Sequence, residues 1–168
     1  RCAAWPPARK TPVMPVCAAP PYRFMALDIG SNAIRERVWE IAPDGQAREL
    51  SFRRHPIRLG AGVFAGGGID PDAATRAQQV LGGAAAQLRD GRLAAVRAVA
   101  TSAMREADNR QTVLRGWREA TGIAVRVLTG LEEARLVALS VLGRRADPAQ
   151  PSLLLDIGGG SSEIIVTH

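Results

Sequence analysis

Two short segments, far apart in the chain, each place an acidic residue at the end of an apolar run and follow it with a glycine turn. Residues 28–32 (DIGSN) come after the apolar run 24–27, and residues 156–163 (DIGGGSSE) come after 153–155. Glycine lets the backbone approach a ligand closely and point successive N–H groups at an anion. A carboxylate beside such a turn can hold a cation, directly or through water. The two segments together predict a phosphate site with two sides.

A candidate general base lies in residues 130–135 (GLEEAR). Thr129 and Glu132 have the spacing of a capping box, which predicts a helix start. Adjacent helical residues point about 100° apart, so the two neighbouring glutamates cannot face a cleft equally. Glu132 fits the capping box, which leaves Glu133 as the candidate base. The alternative is that both are ordinary acids in a first helical turn, where the helix dipole favours them.

Arg105 is the candidate cation for phosphate. It follows the end of a predicted strand, where the ligand-binding residues of α/β sheets gather. A guanidinium binds phosphate oxygens bidentately, so Arg105 is predicted to contact the substrate. A salt bridge to a nearby acid is the alternative.

The elements that position these residues are predicted to be strands followed by alternating helices and strands. Besides the two acidic strands, strands are expected at about 33–41, 46–55, 93–101 and 125–128, with a further one beginning at 164–166. Helices are expected from the N-cap Asp70 to about Arg89, from the cap Asn109 to about Gly122, and from Thr129 to about Arg145. Three antiparallel strands before alternating units imply a mixed sheet with helices on its faces.

The length and composition indicate one domain or a little more, with a distinct tail. The chain has 168 residues, of which 46% are apolar, so it can bury a core. Residues 1–23 are rich in Pro and Ala and are predicted to be disordered. Four of the basic residues behind the net charge of +6 lie in the first 24 residues (Arg1, Arg9, Lys10 and Arg23), where there is no acid. The charge is therefore a poor argument for a nucleic-acid partner.

Cysteine content and hydropathy point to a reducing cytoplasm without a membrane partner. Cys2 and Cys17 both lie in the tail, so no cysteine-rich zinc site is expected. The chain has no apolar run of about 18 residues, so no membrane-spanning helix is expected. The tail lacks the continuous apolar stretch of a secretory signal.

Four segments in this order resemble the exopolyphosphatase/guanosine pentaphosphate phosphohydrolase (Ppx/GppA) family of the actin-like ATPase superfamily: 28–32, 100–109, 130–135 and 156–163. The resemblance covers residues 24–168. It implies an α/β, ribonuclease H-like first lobe over 24–150, with a mixed five-stranded sheet and flanking helices. Residues 151–168 would be the first hairpin of a truncated second lobe, with the active site between the lobes.

The resemblance also implies a role for each loop residue. Phosphate would be held by the small residues of the two turns: Gly30, Ser31, Asn32, Gly158, Gly159, Gly160 and Ser161. Mg²⁺ or its water shell would be held by the carboxylates Asp28, Asp156 and Glu163. Glu133 matches the family's catalytic glutamate, and Arg105 would bind the polyphosphate. The structural alternatives are a plain hairpin turn for the first loop and a glycine-rich connection between lobes for the second.

One stretch departs from the family pattern. Ala33 stands where the family usually has Ser, and Arg35, Glu36 and Arg37 place three charges in a predicted strand. Since alternate strand residues face opposite sides, at least one charge must point toward the less exposed face. Either the strand lies at a sheet edge or the position serves another purpose. His55 is interpreted as solvated, and Trp39 and Trp117 as packing residues.

The leading hypothesis is hydrolysis of the terminal phosphoanhydride of inorganic polyphosphate or of guanosine pentaphosphate, an alarmone. The resemblance implies a cytoplasmic, Mg²⁺-dependent, homodimeric full-length enzyme without nucleic-acid or membrane partners, and an isolated lobe that is inactive. The alternatives are a non-catalytic sensor of phosphates or nucleotides, and an actin-like ATPase or sugar kinase. Replacing Glu133 by Gln separates enzyme from sensor, and protection against heat by ATP or by polyphosphate separates kinase from phosphatase.

Overall fold

The computed structural model describes residues 21–142 and 151–167. Over these ranges the strands are β1 (Tyr22–Ile29), β2 (Ile34–Ile41), β3 (Ala47–His55), β4 (Ala95–Ala100), β5 (Val125–Val127), β6 (Ser152–Ile157) and β7 (Ser162–Thr167). The helices are α1 (Pro71–Arg89), α2 (Ser102–Glu106), α3 (Arg110–Thr121) and α4 (Gly130–Leu142). Two short 3-10 turns, Leu59–Ala61 and Val63–Ala65, connect β3 to α1.

The strands form a five-stranded mixed sheet in the order β3-β2-β1-β4-β5 and a separate two-stranded sheet of β6 and β7. β1, β2 and β3 pair antiparallel, whereas β4 pairs parallel with both β1 and β5. This confirms the predicted α/β fold with a mixed five-stranded sheet. The carboxyl ends of β1 and β4 meet at one edge, where the first glycine turn and α2 begin.

The core lies between the sheet and α1, and α3 packs against α1. Leu27 and Ile29 of β1 are buried there, against Ala77 and Leu81 of α1. The α1 residues recur at intervals of four, which places them on one helical face. Trp117 of α3 is fully buried and confirms its predicted packing role, with its indole N–H donating to the Ala74 carbonyl at 3.0 Å. Because strand residues alternate, Asp28 points to the opposite face.

Where the sequence signal is local, the predicted ends of the helices and strands lie close to the observed ends. Asp70 caps α1 by accepting a hydrogen bond from the Ala73 amide at 2.9 Å, and α1 runs to Arg89 as predicted. α4 extends to Leu142, and its predicted end near Arg145 lies outside the described residues. β1 begins at Tyr22, slightly before the predicted boundary at residue 24. The rest of the predicted disordered tail, residues 1–20, also lies outside the described residues.

Asn109 precedes α3 as predicted, but its side chain does not cap the helix. Its carboxamide instead accepts from the Ile69 amide at 2.8 Å and donates to the Ile69 carbonyl at 2.9 Å. A carboxamide carries both a donor and an acceptor, so one side chain satisfies both backbone groups of a buried residue. Gly68 makes room for it, since a Cβ at Gly68 would lie 2.5 Å from the Asn109 Cγ.

Asn109→Ala is therefore expected to destabilise the 168-residue chain by about 2 kcal/mol, because it leaves two buried backbone groups without partners. Urea unfolding followed by circular dichroism measures the loss. Asp108→Ala, next to it and exposed, is the matched control. Equal unfolding midpoints for the two variants would contradict the assignment.

Charge on β2 is accommodated by a buried pair and not by a sheet edge. β2 lies between β1 and β3, so the edge alternative is wrong. Glu36 is buried, and its Oε2 lies 2.9 Å from the Nε2 of His55 on β3. The interpretation of His55 as merely solvated is therefore also wrong. Pairing within hydrogen-bond distance offsets the cost of burying the carboxylate.

Candidate active site

The first glycine loop is a tight turn between β1 and β2. The Gly30 amide donates to the Ala33 carbonyl at 3.1 Å and closes the turn. The Ser31 hydroxyl lies 2.8 Å from the Ser102 hydroxyl and accepts from the Ala103 amide at 3.2 Å. This hydroxyl therefore ties the loop to the start of α2. Within this loop Ser31 is buried, whereas Asn32 is exposed and lines the cleft.

The second glycine loop repeats the closure of the first. The Gly158 amide donates to the Ser161 carbonyl at 2.9 Å, over the same three-residue separation as in the first loop. β6 and β7 enter and leave this turn in antiparallel register, with Asp156 opposite Glu163. The turn thus places two carboxylates side by side at its base.

The two loops are in contact with each other. A Cβ added at Gly159 would lie 3.2 Å from the Asn32 Cβ, and one at Gly160 would lie 2.6 Å from the Ser31 Oγ. Only residues without a side chain allow so close an approach. The structure therefore brings the two predicted phosphate loops together at one place.

The cleft beside this contact has a volume of about 800 Å³. It is bounded by the first loop, the exposed face of β2, helix α4 and the β6–β7 hairpin. All the predicted phosphate residues except Gly160 line it, and so do Asp28, Asp156, Glu163 and Glu133. Arg105 is not among the lining residues. Trp39, predicted to be a packing residue, is half-buried and lines the cleft.

The two glutamates at the start of α4 have different surroundings, as the capping-box argument predicts. The Glu132 carboxylate accepts from the Thr129 amide at 2.9 Å, and its own amide donates to the Thr129 hydroxyl at 3.2 Å. The backbone hydrogen bond from Thr129 lowers the pKa of Glu132. Glu133 faces the cleft with most of its side chain buried.

Arg105 lies behind Glu133 and holds it. The Arg105 Nη1 donates to the Glu133 Oε2 at 2.7 Å and to the Leu128 carbonyl at 3.0 Å. Both side chains of this ion pair are mostly buried. The salt-bridge alternative for Arg105 is thus the arrangement in this structure. Arg105 thus engages Oε2 of a glutamate that lines the cleft.

The surroundings raise the pKa of Glu133 above that of an ordinary glutamate. Burial is the largest cause, the Arg105 hydrogen bond and charge oppose it, and the negative charges of Glu163 and Asp28 add to it. Asp28 on β1 and Glu163 on β7 are thus close enough to Glu133 to contribute to the rise of its pKa. A raised carboxyl pKa in a cleft is typical of an acid–base group.

The carboxylates fit a magnesium ion that is shared with a substrate. Within residues 21–142 and 151–167, no group of three or more His, Cys, Asp or Glu side chains is arranged to hold a metal ion by itself. The Asp28 Oδ2 also accepts from Arg35 at 3.1 Å. Mg²⁺ usually takes one or two carboxylates together with waters and phosphate oxygens. Asp28, Asp156 and Glu163 suit that kind of site better than an all-protein cage.

Sequence reasoning missed the residues that brace the loops. Ser102 lies inside a segment singled out for its resemblance, but nothing in the sequence marks it as the partner of Ser31. Phe64, whose ring lies against both Gly60 and Gly160, has no sequence signal at all. Both contacts join residues distant in the sequence, so local patterns cannot reveal them.

A sequence model of the Ppx/GppA phosphatase family matches residues 42–168 of the chain. This chain belongs to the Ppx/GppA phosphatase family. The resemblance to this family is thereby confirmed. Among curated Ppx/GppA relatives, Exopolyphosphatase 2 of Mycobacterium tuberculosis is 32% identical over 152 residues, which are 86% of this chain and 48% of the relative. The chain thus spans about half the length of the curated relatives it matches.

Solved Ppx/GppA structures give the same result. An exopolyphosphatase from Cytophaga hutchinsonii superposes with a TM-score of 0.75 at 31% identity, covering 86% of this chain and 46% of that one. The Ppx/GppA family member of Aquifex aeolicus superposes with a TM-score of 0.72 at 29% identity, covering 88% and 47%. The actin-like fold predicted from the motifs is therefore confirmed.

None of the helices in the described ranges combines the length and apolar character that a membrane crossing requires.

Proposed function

We propose that the full-length protein containing this lobe hydrolyses the terminal phosphoanhydride of inorganic polyphosphate or of guanosine pentaphosphate. The observation that carries the proposal is the contact of Gly159 and Gly160 with the Ser31–Asn32 turn, beside a cleft that Glu133 lines. Facing amides suit an anion, and a carboxylate with a raised pKa suits the activation of water. The named relatives are exopolyphosphatases, which supports a polyphosphate substrate.

The chain's own groups divide the work of the reaction. The amides of Ser31, Asn32 and Gly159 donate no hydrogen bond within the described residues, so they are available to the terminal phosphate. The Glu133 Oε1 takes a proton from the attacking water. Arg105 fixes the Glu133 carboxylate through Oε2, so that its other oxygen keeps one direction.

Magnesium would be held by Asp28, Asp156 and Glu163 together with phosphate oxygens. When bound, it would offset the negative charge that builds up on the phosphates as the anhydride opens. Arginines also line the cleft beyond the loops, among them Arg35 and Arg54. Their charge favours a polyanionic substrate, and polyphosphate supplies more negative charge along its length than a nucleotide does.

Residues 151–168 are proposed to begin a second lobe. One face of the β6–β7 hairpin exposes large apolar side chains: Leu153, Leu155, Ile157, Ile164 and Val166. A contiguous apolar face of this kind is normally covered by another element. A cleft closed on one side by the hairpin alone explains why the isolated lobe is expected to be inactive. A cytoplasmic location and a homodimeric full-length protein are further parts of the proposal.

Phosphate release from the full-length protein tests the proposed activity. The assay compares long-chain polyphosphate, guanosine pentaphosphate and ATP, each with Mg²⁺ and after chelation by EDTA. We expect release of terminal phosphate only. This release should be lost with EDTA and restored by Mg²⁺. Tight binding of polyphosphate without any release would favour the non-catalytic sensor. Release from ATP alone would favour the actin-like ATPase.

The raised pKa of Glu133 predicts the acid side of the pH profile. The base must be ionised, so kcat/KM falls as the pH drops through the pKa of Glu133 in the free enzyme. Because that pKa is raised, the fall should begin above the value of an ordinary glutamate, about 4.3. Stopped assays between pH 4 and 8, roughly the range in which carboxyl and imidazole groups titrate, measure it. An acid limb at or below the ordinary value would contradict the assignment of Glu133.

A further inference from the structure

The aromatic ring of Phe64 lies between the two glycine loops. A Cβ added at Gly60, behind the first loop, would lie 2.6 Å from the Phe64 Cε2. A Cβ added at Gly160, in the second loop, would lie 2.2 Å from the Phe64 Cζ. Carbon atoms that are not bonded to each other pack at about 3.5–4.0 Å. The ring therefore fills the space that the missing side chains of both glycines leave.

The backbone around Phe64 is fixed to the first loop. The Gly60 amide donates to the Ser31 carbonyl at 2.8 Å, and the Arg58 amide donates to the Asn32 carbonyl at 2.9 Å. Phe64 follows in the next 3-10 turn. Its ring reaches past the first loop to the second, so a movement of either loop relative to the other must displace it.

The Phe64 ring is only partly covered by protein, since the residue is 48% exposed. It carries no polar atom, so it does not compete for the loop amides. Its place is explained by contact with the second loop.

We propose that Phe64 is a positioning residue that sets the separation of the two glycine loops and so shapes the phosphate site. The proposal rests on the proposed function for its consequence, because the loops are taken to hold phosphate. The contact itself is a property of the fold. Without the ring, the hairpin loop loses its support and moves relative to Ser31 and Asn32, and the facing amides no longer converge on one anion.

Two readouts on the 168-residue chain test the proposal, with Phe52→Ala as the matched control. Phe52 is also 48% exposed but lies on β3 against Arg37, away from the loops. In calorimetry with tripolyphosphate and Mg²⁺, Phe64→Ala should weaken binding about tenfold, since small misplacements of positioning groups are costly. Phe64→Leu, which keeps most of the volume, should restore most of the affinity. Equal affinities for Phe64→Ala and Phe52→Ala would overturn the proposal.

Hydrogen–deuterium exchange of residues 156–163 provides a readout without ligand. Phe64→Ala should speed exchange in this segment about tenfold, because local opening becomes easier when a supporting contact is removed. Phe52→Ala should leave it unchanged. If the unsubstituted chain does not bind tripolyphosphate, the proposed phosphate site is contradicted. The hydrogen–deuterium exchange rates still decide the role of Phe64. Equal exchange in both variants would overturn that role.

A steric cycle tests the contact independently. Gly60→Ala should lower the unfolding midpoint, because its Cβ meets the Phe64 ring at 2.6 Å. In the Phe64→Ala background the nearest remaining atom is the Ser31 Cβ at 3.1 Å, so most of the loss should disappear. An equal loss in both backgrounds would show that the ring does not occupy this space.

Discussion

Replacing Glu133 by glutamine is expected to lower phosphate release by the full-length protein by about 10²–10⁴-fold, the usual contribution of a general base. Glutamine keeps the size and can still accept a hydrogen bond from Arg105, but it cannot take a proton from water. The loss should appear in kcat, while KM changes little, because the loops that hold phosphate are untouched. Steady-state assays with polyphosphate and Mg²⁺ measure both constants.

Glu132→Gln is the matched control, one residue away on the same helical turn. Its carboxylate is engaged with Thr129 and is also in contact with Arg126, outside the cleft lining. Turnover should therefore be unchanged, although the start of α4 loses part of its cap. A Glu132 variant that loses turnover while the Glu133 variant retains it would reverse the assignment of the two glutamates.

Arg105→Met is expected to lower kcat/KM by about 10²-fold, the scale on which a small misplacement of a catalytic group lowers the rate. The variant leaves the buried Glu133 carboxylate without its cation. Since Arg105 opposes the effect of burial on the pKa of Glu133, that pKa should rise further. The acid limb of the pH profile should then move to higher pH. Rate measurements across the pH range separate this shift from a simple loss of activity.

The stability of the Arg105→Met variant should also depend on pH. With the Glu133 pKa raised further in the folded state, the folded protein binds more protons than the unfolded chain between the two pKa values. Arg105→Met should therefore be least stable at neutral pH and recover as the pH falls.

Arg105→Lys keeps the charge but lacks the planar fork that reaches both the Glu133 carboxylate and the Leu128 carbonyl, so its activity should be intermediate.

Arg110→Gln is the control for Arg105. The Arg110 side chain donates to the Arg105 backbone carbonyl at 2.7 Å and is exposed. Removing it disturbs the same segment without touching Glu133. A normal acid limb is expected for this variant. An acid limb shifted as far as in Arg105→Met would show that the effect does not pass through the Glu133 ion pair.

The architecture was largely predictable because its signals are local. Asp70 and Pro71 mark the start of α1 within two residues of sequence, and Thr129 with Glu132 does the same for α4. Apolar runs that end in Asp28 and Asp156 mark the acidic strands. Each of these signals depends on hydrogen bonds or dihedral angles within one turn, so tertiary structure has little power to override them.

What the sequence could not predict depends on contacts between distant residues. Asn109 has the chemistry of a cap, but the backbone of Ile69 lies close enough to compete for its carboxamide and takes it. Glu36 reads as a misplaced charge until His55 is seen across the strand pair. In both cases the partner comes from another element, and only the folded chain brings it within hydrogen-bond distance.

The candidate site shows the same division. Residue types and spacing predicted that the loops and Glu133 would share a cleft, because glycine turns after acidic strands and a capping box are sequence patterns. The bracing of the loops was not, since Ser102 and Phe64 act through packing against residues far along the chain. Nor could the sequence decide whether Arg105 faces phosphate or pairs with an acid.

Amide chemical shifts of the 168-residue chain test most directly whether the two glycine turns grip one anion together. Tripolyphosphate with Mg²⁺ would be titrated into ¹⁵N-labelled protein while the signals of Ser31, Asn32, Gly159 and Gly160 are followed. The signals of both turns are expected to shift together, with a single dissociation constant, while the signal of Gly45 in the turn between β2 and β3 stays in place. Shifts confined to one turn, or absent from both, would contradict it.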